Sequence, residues 1–142
     1  MKKSSRTAFV AFLTFALIAF ALPLRGDRAA ATITVRMVGD EKGFRFVPSS
    51  ITARVGDVVR FVDVSGAPHN VAFWPDRIPA GAAATLQKNM GQTIGPLSGA
   101  MVIEPNESYT VSLAGLPAGT YNYYCVPHQA MKMTGRIRVR AR

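Results

Sequence analysis

The stretch Gly119-Thr-Tyr121-Asn122-Tyr123-Tyr124-Cys125-Val-Pro-His128-Gln-Ala-Met131-Lys-Met133 reads in two halves. In the first, Tyr121, Tyr123 and Cys125 share one face of an extended chain, and Asn122 and Tyr124 share the other. With the tyrosines turned into a core, the thiol of Cys125 points inward as well, at the end of that core. The second half is a loop that brings an imidazole and two thioethers close to the thiol in sequence. Thiolate, imidazole and thioether are soft donors, and a trigonal set of two histidines and a cysteine with a long thioether bond suits copper. The loop lacks one imidazole. The only other histidine in the chain is His69, in Gly66-Ala-Pro68-His69-Asn70-Val71, 56 residues upstream of Cys125. The expectation is a mononuclear copper site assembled from two distant segments.

The sparse composition strengthens this reading. The chain has one cysteine, two histidines and six methionines, and the cysteine and one histidine fall within four residues, Cys125 to His128. A lone cysteine is ordinarily a small buried hydrophobe. Zinc sites close with four Cys, His or carboxylate ligands, and this loop offers neither a second thiolate nor an adjacent acid. A Cys–His nucleophile pair needs an accessible thiolate, whereas strand parity buries this one. Copper enzymes with a second metal centre need further histidines, and none remains. The chain is therefore read as no enzyme, with copper storage or delivery as the alternative to redox cycling.

Residues 1–31 read as a secretory signal peptide, with Lys2, Lys3 and Arg6 ahead of an uncharged run from Ala8 to Leu22 and the small residues Ala29-Ala30-Ala31. The run of 15 residues falls short of the roughly 20 that span a bilayer; an uncleaved anchor is the alternative, and the only membrane contact expected. The protein is read as exported, to a periplasm or another extracytoplasmic space. Residues 32–142 are enough for one single-core domain. The formal charge of the whole chain is +9, and 12 of its 17 basic and seven of its eight acidic residues lie after position 31. No aromatic-interleaved basic cluster accompanies that excess, so no nucleic-acid partner is expected. In an oxidising compartment a lone cysteine cannot pair internally and is a liability unless covered. A buried metal ligand satisfies that condition.

The rest of the chain has the period-2 pattern of strands with one wet face. Ile33, Val35 and Met37 alternate with Thr34 and Arg36; Ile51, Ala53 and Val55 with Thr52 and Arg54; Tyr109, Val111 and Leu113 with Thr110 and Ser112; Ile137 and Val139 with arginines. Val58–Val64 and Asn70–Trp74 are more continuous apolar runs. Turn chemistry separates them at Gly56-Asp57, Ser65-Gly66, Pro105-Asn106 and Pro117-Ala-Gly119. The pattern predicts an all-β, two-sheet sandwich of about eight strands. One long interruption, residues 75–100, is expected to hold a short helix within Ala80–Asn89 and an irregular stretch from Gln92 to Ala100.

Taken together, these segments resemble the plastocyanin/pseudoazurin group of cupredoxins over about Phe44–Val139. The resemblance lies in Phe46-Val-Pro48-Ser49-x-Ile51, Val55-Gly56-Asp57-x-Val59-x-Phe61, Pro68-His69-Asn70-Val71, the Gly119–Gln129 stretch and Met133-x-Gly135-x-Ile137-x-Val139. It implies an eight-stranded Greek-key fold, one blue (type 1) copper per chain, and His69, Cys125, His128 and Met133 as ligands. It also implies single-electron shuttling between redox partner proteins by a monomer. The resemblance further suggests a hydrogen bond from the backbone beside Asn70 to the thiolate, and docking at an apolar patch of Pro68, Pro127, Ala130 and Met131 around His128. Apart from the resemblance, parity turns Arg36, Arg136, Arg138 and Arg140 outward, with Arg142 at the terminus. They read either as charges that keep a sheet soluble and block edge pairing or as basic steering toward an acidic redox partner or an anionic membrane face. Tyr124, facing outward beside the thiolate, reads equally as a second electron route or an ordinary strand aromatic. Asp63 departs from the family, standing where an asparagine is common, and the acidic patches of plant plastocyanins have no counterpart.

Overall fold

A computed structural model describes residues 28–142; most of the leader expected over residues 1–31 lies outside the described residues. The strands, numbered in chain order, form two sheets. The smaller holds β1 (Thr32–Asp40), β2 (Gly43–Val47), β4 (Val58–Asp63) and β8 (Ser108–Ser112), in the order β2-β1-β4-β8. The larger holds β3 (Ser50–Arg54), β5 (Ala72–Phe73), β6 (Thr93–Gly95), β7 (Ser98–Gly99), β9 (Gly119–Tyr124) and β10 (Thr134–Arg140), in the order β3-β10-β9-β5-β7-β6. β1 runs parallel to β4 and β3 parallel to β10; the other pairs are antiparallel. The expected all-β sandwich is present.

Alternation decides what fills it. Val35, Met37, Phe61, Val111, Tyr121, Tyr123, Ile137 and Val139 are all buried, while Arg36, Thr110, Arg136, Arg138 and Arg140 between them are exposed. Phe46, Phe61 and Tyr123 meet edge to face at 4.8–6.0 Å between ring centres, the geometry that aromatic quadrupoles favour. Full burial of such side chains is worth about 1.5–3 kcal/mol each. Tyr123, at the middle of this cluster, leads directly to Cys125.

The interruption is more ordered than its sequence suggests. Its helix α1 (Ala83–Asn89) lies within the expected span, and it buries Leu86 against the core. The stretch expected to be irregular contains β6 and β7 instead, which raises the strand count to ten. The reason is lateral hydrogen bonding: Phe73 N–H donates to Leu97 O and Gly99 N–H to Val71 O, both at 2.9 Å. Gln87 of α1 reaches Leu97 N–H and Thr93 Oγ1, and Asn89 donates to Ser112 O and Ala114 O. The excursion is thereby bolted to both sheets.

Close packing around Tyr123 is testable. A Cβ at Gly135 would collide with the Tyr123 phenol ring, and overpacking of this kind costs about 1–3 kcal/mol. Gly135→Ala should lower the stability of the copper-free protein by that amount in chemical denaturation, with an unchanged m-value.

Candidate metal centre

Two segments converge at one end of the sandwich. His69 lies between β4 and β5, and its backbone is held on both sides by an isolated bridge, His69 N–H to Val102 O at 2.9 Å and Val102 N–H to His69 O at 2.8 Å. Cys125 follows β9 directly. Its N–H donates to Met133 O at 3.1 Å, extending the β9–β10 ladder by one step, and Met133 N–H returns to His128 O at 3.2 Å. A 3-10 turn over Gln129–Met131, closed by the left-handed residue Lys132, completes the loop. Cys125, His128 and Met133 are thus positioned by the loop's own backbone.

Asn70 joins the two segments. Its side chain is fully buried; Oδ1 accepts from Val126 N–H at 2.8 Å, and Nδ2 donates to Gly99 O at 3.1 Å and Ser98 Oγ at 3.2 Å. One amide therefore links the first histidine segment, the thiol loop and the β6–β7 excursion.

His69, Cys125 and His128 are all buried, and their donor atoms lie within 4.8 Å of one another. Cys125 Sγ is 3.7 Å from His69 Nδ1 and 3.4 Å from His128 Nδ1. Three donors about 2.1 Å from a shared centre, in a trigonal plane, lie about 3.6 Å apart. The spacing therefore suits one metal ion between them. Burial pushes His69 below the usual imidazole value, with Asp63 opposing and His128 adding to the shift; burial also lowers His128. Neutral rings keep a lone pair free for a metal. Burial raises the Cys125 thiol, opposed by the backbone N–H groups of Asn70 and His128 and reinforced by Asp63.

Three features escaped the sequence reading. Phe44 stacks on His128 with ring centres 3.7 Å apart and planes at 6°, and meets His69 edge-on at 6.0 Å. Its shared parity with the core residue Phe46 was the available signal. Tyr124 is half-buried beneath Trp74 at 4.4 Å, with the Arg77 guanidinium 4.8 Å over the indole; it is not an ordinary exposed aromatic. The third is a polar chain behind His69 through Ser65 to Asp63. Of the two methionines, Met133 is fully buried and Met131 is 58% exposed.

Residues 33–140 match the family model described as copper binding proteins, plastocyanin/azurin family. The chain belongs to that family. It is 34% identical to the chloroplastic plastocyanin of Chlamydomonas reinhardtii over 94% of this chain and 81% of that one. It is 35% identical to the plastocyanin of Rumex obtusifolius over 75% of this chain and 99% of the other. Among solved structures, the oxidised plastocyanin of Dryopteris crassirhizoma superposes with a TM-score of 0.58 at 33% identity, covering 76% of this chain and all of that one. A Sinorhizobium pseudoazurin superposes at 0.55 with 31% identity, over 78% of this chain and 74% of its own.

The Asn70 clamp predicts a definite cost. Asn70→Ala leaves the Val126 N–H and Gly99 O without their partner, and each buried unpaired group costs about 1–3 kcal/mol. The copper-free variant should unfold at distinctly lower denaturant, and amide exchange at Val126 should speed up more than at Val139.

Proposed function

We propose that His69, Cys125, His128 and Met133 hold one copper ion, and that the protein carries single electrons between redox partners as a type 1 copper protein. The observation that carries this is the convergence of three buried soft donors at metal-ligand spacing. Copper, when bound there, supplies a reversible one-electron Cu(I)/Cu(II) couple. The chain's part is rigidity. The His69 bridge, the Cys125–Met133 ladder and the Asn70 clamp hold the donors independently of the ion, so little has to rearrange as charge changes. Met133 would supply the thioether ligand, because its backbone is tied to both Cys125 and His128 and its side chain is buried, unlike that of Met131. We read the protein as an electron carrier and not an enzyme, as its likeness to plastocyanins implies.

Partners approach at His128. His69 has no exposure and His128 retains 7%, while Pro68, Val126, Pro127, Ala130 and Met131 nearby are exposed. This apolar rim is the docking patch. Arg136, Arg138 and Arg140 line the outer face of β10, and the one Arg–carboxylate pair among the described residues is Arg45–Asp40. The unpaired strand arginines favour an acidic redox partner, by speeding encounter more than tightening binding. Export to a periplasmic or similar space and removal of residues 1–31 follow from the leader pattern, leaving a monomeric domain over 32–142.

Two outcomes test the reading. Purified protein should hold one copper per chain with an intense blue thiolate charge-transfer band; Cys125→Ser should abolish the band, and His69→Ala or His128→Ala should weaken retention. Met133→Leu should shift both spectrum and potential, and Met131→Leu neither. Rapid loss of copper to a chelating acceptor, without fast redox cycling, would favour storage or delivery instead. Separately, the electron-transfer rate with an acidic partner should fall as salt rises, since screening acts over about 8–10 Å. Replacing Arg136, Arg138 and Arg140 by Gln should flatten that dependence and leave the blue band unchanged.

A further inference from the structure

Asp63 ends β4, directly behind the first histidine, and has no exposure. Its Oδ1 accepts three hydrogen bonds: from Ser65 N–H at 2.9 Å, Gly66 N–H at 3.0 Å and the Ser65 hydroxyl at 3.2 Å. These shape a turn, and an asparagine oxygen would serve that turn as well. What aspartate adds is a second oxygen and a charge. Oδ2 is one of two buried side-chain polar atoms without a partner among the described residues. Leaving such a group unpaired in a core is costly, and no lysine or arginine among the described residues lies within 4.0 Å of it. The ionisable group beside this carboxylate is His69, whose Nε2 is 4.0 Å from the other oxygen, Oδ1.

The ring of His69 is turned so that Nδ1 faces the Cys125 sulfur at 3.7 Å and Nε2 faces the Ser65 hydroxyl at 3.1 Å. With Nδ1 kept as a lone pair, Nε2 carries the proton and donates to Ser65 Oγ, which in turn donates to Asp63 Oδ1. The result is a carboxylate–hydroxyl–imidazole chain ending at the metal-facing nitrogen. Chains of this kind orient a ligand histidine and strengthen it as a donor. We propose that Asp63 is a positioning residue of the copper site, fixing the His69 ring through Ser65 and favouring the oxidised over the reduced ion by its negative charge. The proposal rests on the copper reading above, and adds a buried determinant of redox potential on the Nε2 side of His69.

Two substitutions separate its parts. Asp63→Asn keeps the side-chain size and the turn acceptor but removes the charge; Ser65→Ala keeps the charge but breaks the hydroxyl link. Voltammetry of the copper-loaded proteins at one neutral pH should show that Asp63→Asn lowers the ratio of Cu(II) to Cu(I) affinity about tenfold, a rise of about 59 mV for a one-electron couple. The blue band should persist. Ser65→Ala should raise the potential by a smaller amount. A change below about twofold in Asp63→Asn overturns the charge effect, and no change in Ser65→Ala overturns the part carried by the hydroxyl link. Should Asp63→Asn not fold, the Ser65→Ala potential decides the positioning role. In the copper-free wild type, 15N NMR of the His69 ring should show a slowly exchanging Nε2–H, with faster exchange in Ser65→Ala. A proton on Nδ1 with Nε2 bare would overturn the link. Failure of the wild type to bind copper at all would instead defeat the ligand assignment, and the NMR result would still decide the link on its own.

Discussion

The side-chain amide of Asn70 is the interaction on which the site depends. It is a short, fully buried group that satisfies donors and acceptors from three chain segments at once. Buried amides of this kind are costly unless every partner is present. Their cost makes them specific, because any other placement of the thiol loop leaves polar groups stranded. The Cys125–Met133 ladder fixes the loop against itself, and Asn70 fixes it against the sheet that carries His69. Without the second constraint the first would hold a well-shaped loop in no particular place.

Around that clamp the molecule is divided by function. The end near His128 is apolar and open, with the ring held by Phe44 from the smaller sheet. The outer face of the larger sheet carries arginines and, farther along, the Tyr124–Trp74–Arg77 stack. Behind His69 lies Asp63, the one carboxylate with no exposure among the described residues. Edge, face and back thus present a greasy contact, a positive field and a fixed negative charge to the same small site.

Much of this was legible before any coordinates. Strand parity placed Tyr121, Tyr123 and Cys125 inward correctly because period-2 alternation is a local property, and the scarcity of donors singled out His69 across 56 residues. What was missed depends on contacts that no local pattern records. β6 and β7 are held by backbone bonds to β5 and by the Gln87 side chain, and three residues with flanking Gly and Pro are too few to alternate. Phe44 reaches His128 from the other sheet. Asp63 was noticed as an oddity, yet its meaning required the direction of the His69 ring.

The place of β10 has a kinetic consequence. It is the last described strand in chain order, but it lies inside the larger sheet, between β3 and β9. Ser50 waits for Arg136 before β3 has any neighbour there. Pairings between such distant residues are slow, because the entropy of closing the intervening loop comes due before the contacts reward it. The thiol loop joins β9 to β10, the last described strand, so it takes its shape only once that strand is made and paired. Until then Cys125 has no roof. The interval between emergence of the chain and closure of the sheet is when its sulfur is open to oxidants, and the speed of that closure sets the yield of protein still able to take up copper.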